Sequence, residues 1–477
     1  MDFNSSTVRF EQWLLASGYQ VSPKIKIADL RAQAQGRGII ALEDIPADEV
    51  LFSIPRNVLL NIETGTLASL HPQNREKLMT KYDHWEGLIL TILFELSLGQ
   101  ESRWAPYLSV LPHEFHSLMF WNDSELELLK PSLVVSRIGR EKAEETYRKL
   151  FPSALEDLGI PNLNVSLERF HQVASTILSY SFDVERPDFD EEQEDDEQVK
   201  YDGYFKSMVA LADTLNADTK LSNANLFYET DFLVMKSVSP ISKGEQVYNT
   251  YGDHPNAELL RRYGYVEWEG SKFDFGELPL SIIHDTIVSY FDVPFELIDK
   301  VLELISEADV EEIEEDVVLD SYDAYSDGEV LPEAQILIQT LVTIAQMSKA
   351  EDLQNMSREQ LSKSVNRALK KCYQLVESKT MTKNAVLIWE QCLTARLSEY
   401  PSHAYRDFTP PQSNECFNKL KMSERILASE VASLQVCLKT FADSFKLIDD
   451  EKLLRNVLKR KANSTDLKKE DSKRQKV

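Results

Sequence analysis

The stretch GEQVYNTYGDHPNAELLRRYGY, residues 244–265, decides how this chain is read. It holds four tyrosines, Tyr248, Tyr251, Tyr263 and Tyr265, and three of them adjoin Gly252 or Gly264. Its pattern predicts a strand, a tight turn, a short helix and a second turn. Such bends gather phenols at one point, which a straight strand cannot do because its side chains alternate between faces. Converging phenol faces attract a cation, and their hydroxyls can orient an amine. Core packing with satisfied hydroxyls is the other reading of the same residues.

Working outward, ALEDIPADEVLF (41–52) and KSVSPISKGEQVY (236–248) share one order: Ile, two turn residues, Asp or Gly, Glu, any residue, an apolar one, an aromatic. Ile45, Glu49 and Phe52 match Ile241, Glu245 and Tyr248. The match to Phe52 predicts a core position for Tyr248. Two strand–turn–strand units of one shape predict one β-rich domain, residues 21–275, split by a helical insert at about 65–170. In the insert, LILTILFELSL (88–98) is far shorter than the roughly 20 residues of a membrane span, so a buried helix is expected. Ser166 before Glu168 and Arg169 predicts a helix start.

An N-terminal helix is expected over 1–20. From 276 to 450 long amphipathic patterns such as LPEAQILIQTLVTIAQMSK predict an all-α domain that binds substrate. The segment PDFDEEQEDDE opens an acidic surface loop, 187–202, too polar to fold alone. The tail 451–477 is basic. Its clusters between Lys459 and Lys476 resemble a bipartite nuclear import signal, so nuclear localisation is expected, with cytoplasm as the alternative.

The net charge of −27 over 477 residues argues against direct nucleic-acid binding and for a basic protein partner. No membrane association and a monomer are expected. The four cysteines form no CxxC pair, so neither a zinc site nor a disulfide framework is expected. The N-terminus shows no signal-peptide pattern, and no P-loop, HExxH, GxSxG or Rossmann glycine motif is present.

Three segments carry the candidate chemistry. Gln35–Gly36–Arg37–Gly38 precedes the strand IIALE, and its glycines let backbone approach a ligand. DTLN, Asp213 to Asn216, leads into NANLFYE. The tyrosine stretch is the third. Taken singly, each also reads as ordinary turn or packing chemistry.

Together and in this order, the three segments resemble the SET domain of protein-lysine methyltransferases. The helical insert and helical C-terminal part are similar to the Rubisco large-subunit methyltransferase type, and NTYGDHPNAELLRRYGYVEW resembles its ribosomal-protein methyltransferase branch. The resemblance implies an α+β fold: a β-rich SET domain of small sheets with a knot-like C-terminal segment, then the helical domain. It implies S-adenosyl-L-methionine as cofactor, held by Gln35, Gly36, Arg37, Gly38, Tyr180, Asn216, Ala217 and Tyr251. Ala217 stands where the family has histidine. Tyr251 is the implied catalytic tyrosine. Trp104, Ser181, Asp183, Tyr263 and Tyr265 are the implied substrate-side residues, and no metal is implied. The implied reaction is methylation of a lysine on a ribosomal protein, of the large subunit by expectation. Two alternatives stay open: methylation of histidine by the same fold, and a non-catalytic SET-like binding module, which Ala217 alone supports.

Overall fold

A computed structural model of the chain describes all residues except 1, 187–202, 309, 311–312, 314–315, 350–351, 412–416 and 459–477. The expected acidic loop and the basic clusters of the tail lie outside the described residues. The rest divides into two compact units. One comprises the chain up to Leu129, Val134–Lys272 and Thr409–Ser423; the other comprises Lys130–Leu133, Phe273–Phe408 and the chain from Glu424 on.

The first unit opens with the helix Phe3–Ala16, capped by the Asp2 carboxylate. Its strands are β1 (Gln20–Val21), β2 (Ile25–Asp29), β3 (Arg37–Ala41), β4 (Val50–Pro55), β5 (Ser181–Glu185), β6 (Tyr204–Met208), β7 (Asn216–Ala217), β8 (Ala224–Tyr228), β9 (Phe232–Ser237) and β10 (Gln246–Asn249). They form two four-stranded sheets, β1-β4-β9-β8 and β2-β3-β10-β7, and a β5-β6 pair. All pairings are antiparallel except β10 with β7, where Tyr248 lies opposite Asn216 and Asn249 opposite Ala217. Phe10, Ile39, Phe52, Leu90, Ile177 and Met235 belong to one buried core.

The two matching sequence units meet at their isoleucines. Ile45 and Ile241 exchange both backbone hydrogen bonds at 2.9 Å, and both are buried.

Between β4 and β5 the chain is helical. The helix His84–Leu98 begins with a reciprocal capping box between Asp83 and Glu86. Because it is apolar all round, it is buried from Glu86 to Glu95 rather than amphipathic. The buried Glu95 carboxylate is satisfied by the Thr66 N–H and the Ser102 hydroxyl, each at 2.6 Å. Among the described residues no helix is long and apolar enough to cross a membrane. Ser166 caps Leu167–Tyr180 by accepting from the Arg169 N–H at 3.1 Å.

The second unit packs the helices Leu280–Phe291, Phe295–Ser306, Pro332–Ser348, Arg358–Glu377 and Lys383–Ser398 around Ile338, Val365, Trp389 and Leu427. It is not purely helical. The antiparallel pair β11 (Phe275–Pro279) and β12 (Ser321–Tyr325) and the parallel pair β13 (Thr380–Thr382) and β14 (Lys446–Ile448) accompany the helices. β12 sits in an acidic segment, but its period-two pattern buries Tyr322 and Ala324. A buried polar cluster joins the short segment 130–133 to this unit. Ser132 Oγ and the Tyr400 hydroxyl donate to the Glu430 carboxyl at 2.5 and 2.7 Å, and Arg396 donates to Pro131 O at 3.0 Å.

Candidate functional site

The glycine segment, the DTLN segment and β10 converge through side-chain amides. Asn216 Nδ2 donates to Gln246 Oε1 at 2.6 Å and to Arg37 O at 3.3 Å. Gln246 Nε2 donates to Gln35 Oε1 at 2.9 Å and to the Tyr248 hydroxyl at 2.7 Å. One amide relay, Asn216–Gln246–Gln35, thus ties together residues up to 211 positions apart. The relay crosses directly over Gly38. A Cβ there would meet Leu30 Cδ1, Gln246 Oε1 and Asn216 Nδ2 at 2.5, 2.6 and 2.7 Å, so any side chain there has to displace the relay.

Tyr248 corrects one expectation. Strand alternation puts Val247 and Asn249 in the interior, while Tyr248 is half-buried on the face of Gln246. Its hydroxyl accepts from Gln246 and, at 3.3 Å, from Gln35 Nε2. Tyr248 therefore braces the glycine segment and is not a core residue.

The other three tyrosines form a cage. Tyr251 and Tyr263 have ring centroids 4.8 Å apart, Tyr251 and Tyr265 meet edge-on at 6.3 Å, and Tyr263 and Tyr265 are 6.4 Å apart. The short helix Asn256–Tyr263 makes this possible by ending at Gly264, whose φ of 79° is left-handed. A Cβ at Gly264 would lie 2.7 Å from Ser117 N, so the turn between Tyr263 and Tyr265 requires glycine. The Tyr251 hydroxyl donates to Leu215 O at 2.7 Å, and the Tyr263 hydroxyl donates to Tyr251 O at 3.1 Å. The Tyr265 hydroxyl is buried without a partner. Burial pushes all three phenols above their ordinary range, so they are neutral at physiological pH.

A cleft of about 990 Å³ opens beside these groups, lined by Gln35, Gly36, Arg37, Tyr180, Asp213, Asn216 and Tyr251, with Phe3, Tyr107 and residues 109–114. The Arg37 guanidinium faces the protein: it donates to Thr7 Oγ1, Ser6 Oγ, Phe3 O and Val110 O and lies 4.0 Å over the Phe3 ring. It holds the start of the N-terminal helix against the cleft, while its carbonyl receives Asn216. Ala217 contributes main chain, paired with Asn249.

The remaining expected residues fall elsewhere. Trp104 is 1% exposed in the core, its indole N–H donating to Val58 O at 3.1 Å, which leaves no face for a substrate. Tyr107, one turn on, takes the place at the cleft. Ser181 caps the end of the helix Leu167–Tyr180 and does not line the cleft. The Asp183 carboxylate is committed to Lys206, its cross-strand partner, at 2.6 Å. Sequence reasoning missed Gln246, Tyr107 and the Asp213 carboxyl. The period-two pattern of β10 signals Gln246, since it sets Gln246 and Tyr248 on one face. Among the described residues no group of three or more His, Cys, Asp or Glu is placed to hold a metal ion.

The SET domain family matches residues 36–252. Ribosomal lysine N-methyltransferase 4 of Saccharomyces cerevisiae is 41% identical over 480 residues, covering 96% of each chain. The human N-lysine methyltransferase SETD6 is 32% identical over 255 residues, 52% of this chain and 51% of that one. Rubisco LSMT bound to sinefungin and monomethyllysine shares the fold, with a TM-score of 0.66 at 20% identity over 94% of this chain and 95% of the other. With a relative alike along nearly its whole length, and with the three motifs joined in one site, this chain belongs to the SET-domain lysine methyltransferases.

Proposed function

We propose that the protein methylates a lysine ε-amine of a basic ribosomal protein, with S-adenosyl-L-methionine as methyl donor. The observation that carries this reading is the meeting on one cleft of Gln35 and Asn216 from the amide relay with Tyr251, against which Tyr263 and Tyr265 pack. The residues fit the cofactor: Gly36 leaves room for close backbone approach, Gly38 lets the relay cross behind it, Asn216 and Ala217 offer main-chain groups, and Asp213 and the phenol faces suit a sulfonium cation. When bound, the cofactor supplies an electrophilic methyl group.

The protein's part is to position and neutralise the amine. A free lysine amine titrates at about 10.4, and as an ammonium it has no lone pair to attack with. The largely buried cage of Tyr251, Tyr263 and Tyr265 disfavours the charged amine and lowers that value. Because the Tyr251 proton is committed to Leu215 O, its oxygen presents lone pairs to an amine N–H. Tyr251 therefore orients the nucleophile and does not act as a base. Alignment of amine and methyl supplies much of the rate.

The net charge of −27 supports a basic substrate through long-range attraction. The name of the yeast relative supports a ribosomal one. Nuclear entry through the basic clusters of 459–476, and a monomeric state, belong to the same reading. The test is incubation with labelled cofactor and fractionated ribosomal proteins from cells lacking the enzyme. Label in one basic protein, placed on lysine by tandem mass spectrometry, is expected. Label on histidine, or none, overturns the reading.

A further inference from the structure

One buried acid in the cleft has no counterpart. Asp213 lies in the turn Ala212–Thr214, three residues before β7, and is 8% exposed on the cleft wall. The Tyr107 hydroxyl donates to it at 2.5 Å. The titratable groups facing it come from four elements: Tyr19 ahead of β1, Tyr107 from the helix Ala105–Leu108, Tyr180 from the end of Leu167–Tyr180, and Tyr251 after β10. All are phenols that burial keeps neutral. The donors that favour its ionised form, Tyr107, Thr214 and backbone N–H groups, are neutral too. The cations of the cleft wall are engaged elsewhere, Arg31 in a two-point pair with Asp29 and Arg37 with hydroxyl and carbonyl oxygens. His113 and Glu114 share the wall.

A carboxylate buried without a cation is costly, so the group keeps its proton to far higher pH than an ordinary aspartate. Burial pushes Asp213 up to about 7. A cleft built to take a sulfonium thus keeps one dischargeable acid. We propose that Asp213 is the counter-charge of the cofactor site: binding of cationic S-adenosylmethionine drives its proton into bulk solvent, and binding of neutral S-adenosylhomocysteine does not. This rests on the cofactor reading above. The consequence is a preference for substrate over product. In the transfer, the amine lone pair forms the N–C bond, the C–S bonding pair stays on sulfur, and the sulfonium becomes a thioether. The positive charge moves to the methylated amine, which later sheds a proton. Asp213 then loses the sulfonium that favoured its ionised form, and product leaves more readily.

Calorimetric titration at pH 7, in two buffers of different ionisation enthalpy, counts the protons. The wild type is expected to release about half a proton more with S-adenosylmethionine than Asp213→Asn does, since a group near its own pKa is half-protonated. Protons from the cofactor's own amino group are common to both proteins and cancel. With S-adenosylhomocysteine the two proteins give the same count. Tyr107→Phe, which removes a donor to the carboxylate, moves the extra release to higher pH and serves if Asp213→Asn does not fold. Equal proton counts with S-adenosylmethionine in wild type and Asp213→Asn, or no shift in Tyr107→Phe, overturn the proposal. Failure of the wild type to bind S-adenosylmethionine at all overturns the cofactor reading instead.

Discussion

Replacing Tyr251 with phenylalanine separates what its hydroxyl does for the fold from what it does for catalysis. In the fold it makes one hydrogen bond, to Leu215 O at 2.7 Å. A neutral bond of this kind contributes about 1 kcal/mol net, and leaving a buried carbonyl unpaired adds a similar amount. Tyr251→Phe is therefore expected to lower stability by about 1–2 kcal/mol, read as a fall of about 2–8 °C in melting temperature for a unit of this size. The ring stays against Tyr263 and Tyr265, so cofactor affinity changes by no more than about threefold. Catalysis responds far more. The oxygen that orients the attacking amine is gone, and losing one pre-placed polar group at a reacting centre costs about 10²–10³ in kcat, or about 3–4 kcal/mol. The assay is methyl transfer under saturating cofactor, with calorimetry and thermal melting on the same preparation. The rate should rise with pH as the amine deprotonates, with no further limb below pH 10, because burial holds the Tyr251 phenol well above its ordinary value. Tyr251→Phe with at least a third of wild-type kcat, or a rate loss matched by a loss of cofactor affinity, refutes the role assigned to the hydroxyl.

Other perturbations test other parts of the structure. Gly38→Ala puts a methyl within 2.7 Å of Asn216 Nδ2 and Gln246 Oε1, so it should break the relay, destabilise by about 1–3 kcal/mol and weaken cofactor binding about tenfold or more by calorimetry. Tyr265→Phe removes a buried hydroxyl that has no partner, so stability should hold or improve; the freed space lets the amine turn, and mass spectrometry should show more methyl groups per lysine. In the second unit burial holds Glu430 at about 7, whereas an unfolded glutamate titrates near 4.3. The folded chain keeps that proton longer, so stability falls by about 3 kcal/mol as pH rises from about 4.5 through 7. Denaturant melts at pH 5 and 8 should lose that contribution in Glu430→Gln.

The parts legible in the sequence were those with local signals. The glycine segment, the capped helix starts and the tyrosine bend each declare themselves within about two dozen residues, and their order points to the fold. The relay does not, because its partners are 30 and 211 positions apart and a side-chain amide looks the same whether it faces solvent or another amide. Trp104 failed for a related reason. An aromatic residue at the start of a helix carries no mark of which way it packs, and this one turns inward onto Val58 O. Asp213 sat in view within DTLN, but a turn-forming aspartate and a buried acid are written alike. Only the four phenols, gathered from four elements, distinguish them. The segments 130–133 and 409–423 go with the unit remote from their neighbours in sequence, which no local pattern in either segment states.

The repeated strand unit explains both the success and the failure at Tyr248. Asp48 and Gly244 occupy equivalent places and share a left-handed backbone, φ 63° and 88°. The Asp48 N–H donates to Ser237 O and the Gly244 N–H to Ala41 O, so each unit closes on the equivalent residue of the other. The backbone is thus near two-fold symmetric about Ile45 and Ile241, but the surroundings are not. β4 runs between β1 and β9, and Phe52 enters the core. β10 runs between β3 and β7, which carry Gly38 and Asn216, so the equivalent position meets amides instead of apolar side chains. A phenol suits that place because its hydroxyl accepts from Gln35 and Gln246, which phenylalanine cannot do. One backbone unit, used twice, supports the core at one copy and the cofactor cleft at the other, and the residue chemistry at Phe52 and Tyr248 follows the neighbouring strands rather than the unit itself.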